Sequence, residues 1–213
     1  MPVTVSPLLE ARGLEMWRSE RLIFSGLDLC IHSGEALHVR GPNGCGKTTL
    51  LRILCGLIEA SEGSLYIQGR PLQRNDLTLR AMVGYLGHAD GIKLELTARE
   101  NLKYSSALYP DARNHDIDRA LEDMGLGAIA DVECRYLSAG QRRRAAIARL
   151  QVSGSSLWLL DEPFTALDKD GIGQLNAILK VCVAKGLTLV FTSHQRVELD
   201  VPLTTLNLPV GHS

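Results

Sequence analysis

Short apolar runs alternate along this chain with stretches in which apolar residues recur every three or four positions. That alternation predicts an α/β architecture: buried strands of a mostly parallel sheet are almost continuously apolar, while helices carry one apolar stripe. Residues 36–40, 65–68, 83–86, 157–160 and 187–192 are short, apolar and bounded by Gly, Ser or charged residues, and are the predicted strands. Residues 8–31 read as less regular β structure, turning at Arg18-Ser19-Glu20.

The middle of the chain changes period. From 96 to 151 the pattern is helical, with helices expected over 98–108, 116–124 and 138–150 and loops at Tyr109-Pro110 and 125–127. No Pro/Gly/Ser linker flanks this stretch, so it reads as an insertion in one α/β core. The expected organisation is a single domain over 1–213, with a core from 1–86 and 155–213 and a helical subdomain over 87–154. Within it, Arg142-Arg143-Arg144 reads as three cations solvated on an exposed helix face.

Composition narrows the function classes. Lys and Arg number 23 against 24 Asp and Glu, a net charge of -1, so no basic field points to nucleic acid. Cys30, Cys45, Cys55, Cys134 and Cys182 are scattered without a CxxC pair, which suits a reduced compartment better than a disulfide framework or zinc site. The first ten residues lack a basic region, and Pro2 and Pro7 interrupt them, so no secretory signal is expected. No run approaches the roughly 18 apolar residues of a membrane span. The best, 50–58, already contains Arg52. Work at a membrane would therefore need an integral partner.

The strongest chemical signal is Gly41-Pro42-Asn43-Gly44-Cys45-Gly46-Lys47-Thr48-Thr49, which matches GxxxxGK[ST] between a predicted strand and helix. Gly44 and Gly46 let the backbone curl so that several N–H groups face one concavity, and the helix adds its positive end. Lys47 is placed to reach the β- and γ-phosphates, and the Thr48 hydroxyl to ligate Mg²⁺. A second signal is the strand 157–160 followed by Asp161-Glu162-Pro163. It would deliver two carboxylates near the phosphate loop, Asp161 for the magnesium shell and Glu162 as general base toward the attacking water. Trp158 on that strand reads as core packing.

With those two motifs in place, Leu137-Ser138-Ala139-Gly140-Gln141 followed by Arg142 resembles the LSGGQ signature of ATP-binding-cassette (ABC) ATPases. Thr165-Ala166-Leu167-Asp168 resembles the D-loop of that family, and His194 its switch histidine, all in family order. The resemblance implies a P-loop ABC ATPase core with an antiparallel β edge and an inserted helical subdomain. It also implies a head-to-tail homodimer with ATP between one chain's phosphate loop and the other's signature. Ser138 and the N–H groups of Ala139 and Gly140, at the start of the helix from Gln141, would then meet the γ-phosphate across the interface, and His194 would meet it in cis. Ala139 departs from the usual glycine and adds a methyl there. His88 stands where most members carry the Q-loop glutamine, and alignment back from Ser33-Gly34-Glu35 leaves either Trp17 or Arg18 to stack on adenine.

The segment Tyr85-Leu86-Gly87-His88, Gly91-Ile92-Lys93, Glu95-Leu96-Thr97 and Glu100-Asn101-Leu102 resembles the haem-exporter ATPases of bacterial cytochrome c maturation, the CcmA family, as does the short chain. That resemblance implies ATP and Mg²⁺ as ligands and integral-membrane permease subunits of the maturation complex as partners. Its place would be peripheral, on the cytoplasmic face of the bacterial inner membrane. ATP would drive haem export or release of a haem-loaded periplasmic chaperone. The cysteines and histidines show no haem-ligand arrangement, so no haem binding by this chain is expected. Two other readings stay open at this stage, an ABC ATPase for a different cargo and a soluble non-transport ABC ATPase. Residues after Val197 carry no motif.

Overall fold

The computed structural model describes residues 6–72, 76–108, 116–193, 199 and 201–209. The chain starts with an antiparallel hairpin, β1 (Leu9–Arg18) and β2 (Arg21–Ile31), whose turn falls at Ser19 and Glu20 as expected. Strand β4 (Glu62–Ile67) pairs with β1, and the two-residue β5 (Arg70–Pro71) completes a sheet of order β2-β1-β4-β5. The second sheet is wholly parallel, in the order β6-β7-β8-β3-β9, from β3 (Ala36–Arg40), β6 (Val83–Leu86), β7 (Leu157–Leu160), β8 (Thr188–Thr192) and β9 (Leu203–Asn207).

Period-two alternation splits this parallel sheet between two cores. Leu37, Val39, Val83, Leu157, Leu159 and Val190 face a cluster shared with the antiparallel sheet and α1 (Lys47–Leu54). Ala36, Leu86, Trp158, Leu160, Leu189 and Phe191 face the opposite way. They meet helices α3 (Ala98–Ala107), α4 (Ile117–Asp123), α5 (Ala139–Gln151) and α6 (Lys169–Ala184). Burial on both faces explains why strands β6, β7, β8 and β3 read as mostly apolar runs. Trp158 is core packing as expected, with its indole N–H donating to Ser155 Oγ at 3.0 Å.

Side-chain caps set where the helices after α1 start. Thr97 and Glu100 form a reciprocal capping box on α3, and Ser138 and Gln141 form another on α5, each satisfying two backbone N–H groups. Asp116 and Asp168 cap α4 and α6. The expected helices agree with α3, α4 and α5 within one residue at either end. Strand β4 starts three residues before its predicted run and ends at Ile67, because Gln68 takes a left-handed turn at φ 49°. Helix α6, the short α2 (Leu77–Met82) and β9 are additional to the predicted elements. Gly171 and Gly173 weaken the helical signal at the start of α6, and β9 has no fully buried residue to mark it as a strand.

Candidate active site

Strand β3 ends at Arg40 and the chain turns at once into the glycine-rich loop. Gly46 caps α1 in a left-handed conformation, φ 101°, that an L side chain rarely adopts. A Cβ there would also run into Ile23 and stand 3.1 Å from the Phe24 ring, so strand β2 presses directly on the loop. No side chain caps α1, and its first turn holds no acidic residue. The free N–H groups of that turn therefore suit an anion. Lys47 lies folded across the loop, buried, with Nζ donating to the carbonyls of Gly41 at 2.9 Å and Pro42 at 3.1 Å.

The carboxylate strand arrives beside it. All four residues of β7 are buried, and so is Asp161. Its Oδ2 accepts from Thr48 Oγ1 at 2.7 Å and its Oδ1 from Thr192 Oγ1 at 2.9 Å. The same Thr192 oxygen accepts the Glu162 N–H at 2.9 Å, so one hydroxyl at the end of β8 organises both acidic residues. Glu162 is left-handed at φ 50°. Among the described residues no group of three His, Cys, Asp or Glu side chains could enclose a metal. One carboxylate and one hydroxyl, both hard oxygens, fit a Mg²⁺ that keeps water and substrate phosphates as its other ligands.

The remaining expected residues are distributed around this centre. His88 is exposed just past β6. The Ser138 hydroxyl accepts from the Gln141 N–H at 3.2 Å and the Gln141 side chain accepts from the Ser138 N–H at 2.8 Å. Helix α5 thus starts at Ala139, two residues before the Gln141 start that the resemblance implied. Gly140 lies against the next loop, where an added Cβ would be 2.8 Å from the Ala166 carbonyl. Asp168 Oδ1 accepts from the Gly171 N–H at 2.8 Å. Trp17 is half-exposed, its indole N–H donating to Glu15 Oε1 at 2.5 Å, and Arg18 is exposed beside the turn. His194 lies outside the described residues.

Two residues of the centre were not anticipated. The Arg142–Arg144 run is not a solvated face: Arg143 is buried, and Arg142 and Arg144 donate to the carbonyls of Leu137 and Met124. Arg143 donates to the Gly87, Asp161 and Glu162 carbonyls and to Asp90 Oδ1. Its spacing to Ile147 and Leu150, four and seven residues on, places it on the buried stripe of α5. Thr192 had a fainter signal, a polar residue closing the apolar run Leu189-Val190-Phe191.

The family model described as ABC transporter matches residues 24–165. Over 212 residues the chain is 46% identical to the cytochrome c biogenesis ATP-binding export protein CcmA of Pseudomonas syringae pv. syringae, covering 99% of this chain and 95% of that one. The protein of the same name from Nitrosococcus oceani is 46% identical over 193 residues, 91% of this chain and 88% of that one. The chain belongs to the CcmA family of ABC ATPases.

Solved structures agree on the fold. One titled as the ATP binding subunit of an ABC transporter matches with a TM-score of 0.80 at 24% identity, covering 88% of this chain and 79% of that one. Another, cbiO1 from Clostridium perfringens, described as part of the ABC transporter complex cbiONQ, matches at 0.75 and 25% identity, covering 89% and 79%. Family membership makes this CcmA-type chain an ATP-binding ATPase subunit. Among the described residues no helix is long and apolar enough to cross a membrane.

Proposed function

We propose that the chain hydrolyses ATP for a membrane complex of cytochrome c maturation, coupling turnover to haem export or to release of a haem-loaded periplasmic chaperone. The observation that carries this reading is its likeness to CcmA proteins over nearly the whole of both chains. The chain would sit peripherally on the cytoplasmic face of the bacterial inner membrane, held by integral permease subunits. It would bind no haem and no nucleic acid. The cassette is read as one domain over 1–213 with a helical subdomain over 87–154.

The chemistry assigned to the residues is supported by the contacts around Lys47, Thr48 and Asp161 and, for the rest, by the family resemblance. The N–H groups of Gly41 to Thr49 receive the ATP phosphates, and Lys47 exchanges its loop carbonyls for β- and γ-phosphate oxygens. Thr48 and Asp161 are the residues that would hold Mg²⁺, which when bound offsets charge on the transferring phosphoryl group. Glu162 orients a water and takes its proton as the water oxygen bonds to the γ-phosphorus and the bond to ADP breaks. In a head-to-tail homodimer the partner's turn at Ser138, Ala139, Gly140 and Gln141 closes on the same phosphate. His194 contacts it in cis, Asp168 lies at the interface, His88 lines the site and either Trp17 or Arg18 stacks on adenine.

The deciding experiment uses cells whose only copy carries Glu162→Gln, compared with wild type by haem staining of membrane proteins. Loss of covalent c-type cytochromes with b-type haem proteins intact is the expected result. Normal c-type cytochromes would overturn the proposed cargo while leaving the ATPase chemistry in place.

A further inference from the structure

The Arg143 guanidinium makes four hydrogen bonds to two other segments of the chain. It is only 4% exposed. One terminal nitrogen donates to the Gly87 carbonyl at 2.9 Å and to Asp90 Oδ1 at 3.0 Å. The other donates to the Asp161 carbonyl at 2.7 Å and the Glu162 carbonyl at 2.9 Å. Gly87 and Asp90 flank His88, whereas Asp161 and Glu162 are the acidic pair at the end of β7. Arg143 itself stands on α5, five residues past Ser138. A planar fork with fixed donor directions thus joins three segments that are far apart in sequence.

Burying that charge is costly unless it is paired and its donors are used. Asp90 supplies the countercharge from a partly exposed position, its side chain 25% accessible. Glu162 is a non-glycine residue at φ 50°, a conformation that persists where its surroundings over-determine it. Here the surroundings are Thr192 on its N–H, and Arg143 together with the Thr165 N–H on its carbonyl. With the peptides on both sides of Glu162 held, Arg143 is the side chain that ties the direction of Glu162 to a remote segment.

We propose that Arg143 is a positioning residue that links the His88 turn to the backbone of Glu162, so that ATP turnover requires the His88 turn to be seated. The proposal rests on the reading of Glu162 as general base. In that role a misplacement near 1 Å costs on the order of 100-fold in rate.

The test is steady-state ATPase assay of the full chain with its membrane partners, comparing Arg143→Gln, Arg143→Lys, Asp90→Ala and Glu162→Gln. Arg143→Gln is expected to lower kcat about 10–100-fold with KM for ATP within about threefold. Lysine, a point charge that cannot span both segments, should restore only part of the loss. In a Glu162→Gln background, adding Arg143→Gln should cost nothing more, because the two act as one unit. Losses that multiply, or a loss confined to KM, would overturn the positioning role. Asp90→Ala covers the event that Arg143→Gln does not fold: it removes the charged half of the hold on the His88 end, leaving the Gly87 carbonyl, and should lower kcat at constant KM. An unchanged kcat there would overturn the link to His88. If Glu162→Gln itself turns over near the wild-type rate, the general-base assignment fails instead, and the two failures are distinct.

Discussion

Thr48 Oγ1 donates a 2.7 Å hydrogen bond to Asp161 Oδ2, joining residues 113 positions apart. The bond closes the phosphate loop onto the carboxylate strand and places two hard oxygens together. Asp161→Asn keeps the shape but replaces a charged oxygen, the one proposed to hold Mg²⁺, with a neutral amide. It should raise the Mg²⁺ concentration for half-maximal ATPase activity about 10–100-fold, the usual cost of losing a supporting group at a metal site. A magnesium titration of the rate at saturating ATP reads this directly, and an unshifted midpoint would remove Asp161 from the metal site.

Lys47 presents a different dependence. Its ammonium already spends two hydrogen bonds on the Gly41 and Pro42 carbonyls, so it is preorganised above the loop. Lys47→Ala removes charge-assisted bonds to phosphate worth about 1.5–3 kcal/mol, or roughly 10–100-fold in ATP affinity. Equilibrium binding of a fluorescent ATP analogue tests this without turnover. Equal affinity in the variant would show that the loop does not hold phosphate as assigned.

Legibility in the sequence followed burial and period. Strands β3, β6 and β7 were readable to the residue because both faces are buried, leaving mostly apolar runs in which His38 and Arg40 of β3 are the polar exceptions. The phosphate loop and Asp161-Glu162 were readable because their chemistry needs fixed residue types at fixed spacing. Arg143 and Thr192 were hidden for the opposite reason. Each works through backbone atoms and one neighbour contributed by a remote segment, and no local spacing encodes such a contact. Three adjacent arginines looked equivalent on paper, yet the 3.6-residue period turns only Arg143 onto the buried stripe.

Thr192 gives a stability prediction. Its hydroxyl donates to Asp161 Oδ1 and accepts from the Glu162 N–H, both at 2.9 Å, inside the fold. Thr192→Val preserves volume and strand propensity but leaves two groups short of a partner, at about 1–3 kcal/mol for each such group. The urea midpoint should fall with an unchanged slope. Thr192→Ser, which keeps the oxygen, should recover most of that loss. A valine variant as stable as wild type would mean that the hydroxyl only reports the local arrangement.

His38 makes the fold sensitive to acid. It lies buried on β3, stacked on Phe191 with ring centroids 4.5 Å apart, and its Nε2 is 3.4 Å from the Ser193 carbonyl. Burial lowers its pKa, with the Arg40 charge adding to that and the Ser193 carbonyl opposing it. The imidazole therefore binds a proton less readily folded than unfolded, where its pKa is about 6.5. Above that value the contribution to stability is fully present. As pH falls below it the unfolded chain gains the proton first, and stability drops until the folded pKa is passed. His38→Phe keeps an aromatic ring against Phe191 and removes the titration. The melting temperature of wild type should fall more steeply than that of His38→Phe as pH drops below the unfolded value of about 6.5 toward the lowered folded pKa. Parallel melting curves across that range would show that His38 is protonated equally in both states.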